Sequence, residues 1–236
     1  MLSGTKEKRP ILFLHGYLSD SKIFYNQYGF FEKFYDCYSF DFTGFGQNSD
    51  MRYAYNLTDY VNETLEFMYK HSLKKPFVIA HSFGGRVVIK TVGSSPLSSP
   101  FSKIVLTGSA GIKPRFSLKK SIKKNAYKLL KNFLTEKGKE KFFSSDYNKL
   151  SPIMKESFKL IVNEHLDEYA KKIITPTLII NGTRDKETPI YTAKKLNAYI
   201  KTSKLTLIRD AGHFAFIDKK DEFNQRVLEF LTDNYI

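Results

Sequence analysis

The stretch Phe77-Val78-Ile79-Ala80-His81-Ser82-Phe83-Gly84-Gly85 runs a short apolar segment into a serine boxed between very small residues. Residues 77–80 follow Pro76 and read as a buried strand, whereas Val87, Val88, Ile89 and Val92 continue on a helical spacing. Ser82 therefore falls at a strand-to-helix corner. A side chain there points away from a sheet only if the corner is very tight, with strained backbone angles and no room for bulk on either side. Ala80 and Gly84 supply that room, and Gly85 lets the following helix pack close. Peptide N–H groups at the helix start face any negative charge that develops nearby.

Outward from this corner, strand and helix patterns alternate. Residues 11–14 follow Pro10 as a continuous apolar run ending in His15-Gly16, the pattern of a strand buried on both faces. Further strands are predicted at residues 36–41, 104–106, 177–180 and 205–208. Helices are predicted at 21–34 and 191–200, on the face formed by Leu57, Tyr60, Val61, Leu65 and Met68, and on that formed by Phe223, Val227, Leu228 and Leu231. The alternation predicts an α/β fold, a mostly parallel sheet of about six strands with helices on both faces. From 112 to 174 no strand-like run occurs. Residues 113–172 carry 16 Lys or Arg against 7 Asp or Glu, with Leu118, Ile122, Tyr127, Leu129, Leu130, Phe133 and Leu134, then Ile153, Phe158, Leu160, Ile161 and Leu166, at helical spacings. The loop from Asp41 to Ser49 has Gly44 and Gly46 but no third glycine and no Gly-Lys-Ser/Thr, which argues against a phosphate cradle.

At 236 residues and 42% apolar composition, the chain suffices for one sizeable core. No apolar run is long enough to cross a bilayer, the start lacks the pattern of a secretory signal, and the reading is cytoplasmic. Cys37 stands alone beside Tyr38 and Phe40, which suggests a buried strand thiol over a catalytic one. The net charge of +14 raises nucleic acid, an anionic membrane surface or acidic substrates as partners. Lysine outnumbers arginine 31 to 7, however, and the basic residues are spread over helices without aromatic-interleaved grooves, so neither nucleic acid nor a membrane is expected as a partner.

The corner resembles the nucleophile elbow of the α/β-hydrolase superfamily, Gly-x-Ser-x-Gly, with Ala80 in the first small position. His15-Gly16-Tyr17 resembles that family's oxyanion loop, which implies the backbone N–H groups of Tyr17 and Phe83 as oxyanion donors. A serine nucleophile needs a base. Of the five histidines, His15 belongs to the oxyanion loop, His81 adjoins Ser82 with its ring expected to aim elsewhere, His71 ends a helix and His165 lies in the insertion. Only His213 lies in a loop beyond the last strand, and it resembles the family's catalytic histidine. The acid should lie between Ser and His in sequence. Asp185, in Asn181-Gly182-Thr183-Arg184-Asp185 before Thr188-Pro189, matches the family's acid loop; Asp210 ends a strand and Asp218 leads into the last helix.

The resemblance implies a core of residues 1–111 and 175–236 and a helical cap of 112–174. It implies catalysis by Ser82, Asp185 and His213 through an acyl-enzyme on a small to medium carboxylic ester, with no cofactor and no metal. One alternative keeps the triad and cleaves a carbon–carbon bond in a diketone, with Arg86 or Arg115 meeting the substrate carboxylate. Others are a non-catalytic ligand-binding protein on this fold and binding of an anionic polymer by the basic cap. The family's leading strands are missing, so the strand at 36–41 is expected at the sheet edge, exposed or covered by a partner chain in a homodimer, with a monomer equally open.

Overall fold

The computed structural model describes residues 8–114, 147, 148 and 150–233. Arg115 and the cap positions Leu118, Ile122, Tyr127, Leu129, Leu130, Phe133 and Leu134 lie outside them. Six strands form one wholly parallel sheet: β1 (Pro10–Leu14), β2 (Asp36–Ser39), β3 (Phe77–His81), β4 (Lys103–Thr107), β5 (Thr177–Gly182) and β6 (Ser203–Ile208), in the order β2-β1-β3-β4-β5-β6. Prolines punctuate the starts. Pro10 opens β1, while Pro76 and Pro176 precede β3 and β5 and offer only their carbonyls, which accept from Ser102 N–H and Ile104 N–H.

Because successive side chains alternate across a strand, each strand feeds two cores. Ile11, Phe13, Ile79, Val105 and Ile180 face Phe24, Phe31, Phe216, Phe223 and Val227, carried by a short 3₁₀ turn and by α1 (Tyr25–Phe31) and, near the C-terminus, the last two helices. Leu12, Leu14, Val78, Ala80 and Leu106 face α2 (Leu57–Lys70) and α3 (Phe83–Ser94). The predicted helix at 21–34 is thus split: the Asp20 carboxylate accepts from Lys22 N–H and starts a 3₁₀ turn at Ser21–Phe24 before α1 begins. α2 opens on a reciprocal capping box between Asn56 and Asp59. Its buried face is Leu57, Tyr60, Val61, Thr64 and Met68. Leu65 is 39% exposed, contrary to expectation, because Thr64 takes the inward position by donating its hydroxyl to the Tyr60 carbonyl at 2.8 Å.

The described part of the insertion supplies α4 (Pro152–Asn163) and α5 (Asp167–Lys171). Its ends are drawn together by Leu166 N–H on Gly111 O at 2.9 Å and Lys113 N–H on Asp167 Oδ2 at 2.9 Å. Helices α6 (Ile190–Tyr199), α7 (Ala215–Asp218) and α8 (Lys220–Thr232) complete the described chain. β2 is the edge of the described sheet. Asp36 N–H bonds to Arg9 O on the β1 side, so by alternation Cys37 and Ser39 turn their peptide groups outward, and the Tyr28 hydroxyl donates to the Cys37 carbonyl at 2.5 Å. Burial pushes the Cys37 thiol up to about 12. Among the described residues no helix is long and apolar enough to cross a membrane.

Candidate active site

β3 ends at His81 and α3 begins at Phe83, leaving Ser82 between them at φ 49°, ψ −102°. A positive φ is disfavoured for a residue with a Cβ, and its backbone is held there from both sides. Ser82 N–H donates to Thr107 O at 3.1 Å and Ser82 O accepts from Ala110 N–H at 3.2 Å. The small flanking residue is required by close approach: a Cβ on Gly84 would lie 2.4 Å from Leu14 O. Gly84 N–H uses that proximity to donate to His15 O at 3.1 Å, tying the elbow to the loop after β1.

That loop is organised by His15, which is fully buried. Its Nε2 accepts from Phe42 N–H at 3.0 Å, so Nδ1 carries the proton and donates to Gly16 O at 2.8 Å. Desolvation lowers the pKa of His15, and the ring is a neutral brace. Phe83 is the first residue of α3 and Tyr17 follows Gly16; among the described residues neither N–H is taken by a partner. The Tyr17 side chain packs on Phe45, Phe83 and Phe158 with ring centroids 4.8, 5.6 and 5.2 Å away. Its hydroxyl donates to Met154 O in the first turn of α4 at 3.1 Å, so α4 is fastened to this ring cluster.

His213 and Asp185 come from the loops after β6 and β5. His213 Nδ1 donates to Asp185 Oδ2 at 2.9 Å, with the Asp185 side chain fully buried and that of His213 14% exposed. Asp185 is itself held: Oδ1 accepts from Glu187 N–H and Thr188 N–H, both at 2.9 Å, and Oδ2 accepts from Thr188 Oγ1 at 2.7 Å. Desolvation would raise its pKa, but the bonds from His213 and Thr188 outweigh that and lower it. The rival acids are engaged elsewhere, Asp210 with Arg184 at 2.7 Å and Asp218 with Gly212 N–H at 2.7 Å.

The two halves of the site meet at the end of β4. His213 lies over Gly108, where an added Cβ would fall 3.1 Å from its Nδ1, directly after the Thr107 that holds Ser82. The His213 ring stands 4.6 Å from that of His81, the residue before Ser82. Among the described residues no hydrogen bond joins the Ser82 hydroxyl to His213. Three positions depart from the sequence reading. Thr188, in sequence only part of the acid-loop match, clamps the Asp185 carboxylate, and Asp followed three residues later by Thr is a recognisable side-chain turn. His81 is turned toward His213 and not away from the site. Arg86, a candidate for a substrate carboxylate, is 7% exposed and directs its guanidinium to the C-terminal carbonyls of α4, those of Ile161 and Glu164.

Comparison with known proteins agrees with this architecture. The AB hydrolase superfamily protein YisY of Bacillus subtilis (strain 168) is 24% identical over 250 residues, 94% of this chain and 91% of that protein. Among solved structures, an esterase (EaEST) from Exiguobacterium antarcticum superposes with a TM-score of 0.76 at 20% identity, covering 96% of this chain and 93% of that one. A meta-cleavage product hydrolase (CumD) from Pseudomonas fluorescens IP01 gives 0.72 at 22%, covering 95% and 91%. These likenesses are of fold. Residues 11–226 match the family described as the Alpha/beta hydrolase family, and with nearly the whole chain inside that match, the protein belongs to it.

Proposed function

We propose that the protein is a serine hydrolase that cleaves small to medium carboxylic esters through an acyl-enzyme on Ser82. His213 takes the Ser82 proton through Nε2 as Oγ attacks the carbonyl carbon, and Asp185 fixes the ring with its proton on Nδ1 and stabilises the imidazolium that forms. The N–H groups of Tyr17 and Phe83 receive the oxyanion. Collapse breaks the ester C–O bond, His213 returns the proton to the leaving alcohol, and water repeats the sequence to release the acid. No metal or cofactor enters this scheme, and residues 112–174 serve as the lid.

The observation that carries the reading is the buried Asp185–His213 pair, 2.9 Å long and aligned by Thr188, beside a serine held at positive φ. The partly buried rings of Tyr17 and Phe158, packed on the core residues Phe45 and Phe83, support an apolar acyl group of limited length. The diketone alternative asks for a cation at the substrate carboxylate; of its two candidates Arg86 is committed to α4, and Arg115 lies outside the described residues. A fluorophosphonate should therefore form one covalent adduct on Ser82, lost in Ser82→Ala and in unfolded protein, and a panel of esters should show turnover that the same substitution abolishes. Ester turnover surviving in Ser82→Ala would overturn the proposal.

A further inference from the structure

His81 is 1% exposed at the end of β3 and takes no part in the proton transfers above. Its Nε2 lies 3.2 Å from the main-chain oxygen of His213. A carbonyl oxygen only accepts, so Nε2 carries the proton and the ring is the donor. Nδ1 is then a bare lone pair; it is buried without a partner, and it faces Gly16, where an added Cβ would lie 2.8 Å away. The ring is wedged among His213, Phe214 and Phe216, with centroids 4.6, 5.0 and 5.0 Å distant. Burial and the neighbouring His213 push its pKa down to about 3, so at neutral pH this is an uncharged donor.

The consequence is a base anchored at two ends. Asp185 holds the His213 side chain at Nδ1, and His81 holds the His213 main chain at its carbonyl. Of the described residues, His81 is the hydrogen-bond donor to that carbonyl. It is also the residue covalently preceding Ser82, so nucleophile and base, 131 positions apart in sequence, are joined through one peptide unit and one hydrogen bond. A phenylalanine could fill the same space among the aromatic rings, but it could not donate.

We infer that His81 is a positioning residue: its neutral imidazole N–H fixes the His213 main chain and thereby the reach of the base to Ser82 Oγ. This rests on the triad reading above. Displacement of a reacting group by about an ångström costs on the order of 100-fold in rate, and a loosened base acts on the chemical step and not on ground-state binding. His81→Phe should lower kcat for a short-chain p-nitrophenyl ester by roughly 10- to 100-fold with KM within about twofold, and should slow fluorophosphonate labelling in parallel. His81→Gln, which keeps a neutral N–H donor at comparable reach, should recover most of that loss.

A wild type that takes no label on Ser82 overturns the triad reading and this inference with it. A labelled wild type with His81→Phe at wild-type kcat overturns the inference alone, as does a Gln variant no better than Phe. If neither variant folds, ¹H–¹⁵N imidazole spectra of the wild-type protein decide. A protonated Nε2 and bare Nδ1 on a ring that stays neutral to pH 5 support the assignment; the opposite tautomer, or protonation above pH 5, refutes it.

Discussion

Arg86→Met isolates the junction between the insertion and the core. The guanidinium of Arg86, on α3, donates to the carbonyls of Ile161 and Glu164, two of the groups that a helix C-terminus leaves without internal partners. In the variant, Ile161 O keeps only a long bond of 3.3 Å from Glu164 N–H, while Glu164 O can turn to water. Hydrogen bonds from a charged donor contribute about 1.5–3 kcal/mol each. The opposing effect is relief of desolvation, which is substantial because burial holds the Arg86 pKa down to about 10. Methionine refills the stem. The net expectation is a loss of roughly 2 kcal/mol, which for a chain of this size lowers Tm by about 4–8 °C. Arg86→Lys, whose shorter stem reaches the same carbonyls less well although its Nζ can donate to both, should fall between the two. Thermal and urea unfolding followed by circular dichroism measure this directly. A methionine variant melting within a degree of wild type, with a raised KM confined to carboxylate-bearing substrates, would refute the tether and restore Arg86 as a substrate contact.

Asp185→Asn should preserve the fold and lower kcat by roughly 10³- to 10⁴-fold, since an amide cannot hold the imidazole in the required tautomer; steady-state ester hydrolysis checks it, and a loss below tenfold would contradict the assigned acid. Stability should fall on acidification. His81 has a folded pKa lowered from 6.5 to about 3, so between those values the unfolded chain binds the proton and the native chain does not. The resulting slope is up to about 1.4 kcal/mol per pH unit, lost as pH falls through that window. Urea midpoints from pH 7 to 4 should decline less steeply in His81→Gln, with a residual slope from His15, whose pKa is lowered by burial as well; parallel curves would count against a buried neutral His81. Below the ordinary carboxylate value of 3.8, protonation of Asp185 removes a further contribution, because its pKa is lowered in the native state.

The parts of the site that were legible in sequence are those where one residue type has few physical uses. A serine flanked by Ala80, Gly84 and Gly85, with an apolar run before it and a helical spacing after it, reads as a tight corner, although the same few residues without that setting would equally suit an ordinary helix-opening serine. The pairing of Asp185 with His213 was likewise legible from the local frame of Asp185, the strand end before it and Thr188-Pro189 after it. The parts that were not legible depend on where a ring or a guanidinium turns. His81 is adjacent to Ser82 in sequence, yet its use is set by the His213 carbonyl, which only the folded chain brings near. Arg86 looked free because nothing local pairs with it; its partners are main-chain oxygens about 75 residues later. The exchange of Thr64 for Leu65 on α2 has the same origin. A threonine that satisfies its own hydroxyl within the helix behaves as an apolar residue, which hydrophobic periodicity alone does not register.

The outer strand β2 is only four residues long, and two of these face outward. One of the two carbonyls so displayed is already occupied by a phenol, that of Tyr28. A second polypeptide seeking to extend the sheet would find too few rungs to register against, and would have to dislodge an aromatic side chain before gaining its first bond. Within the described sheet this border thereby resists templating of fibrils.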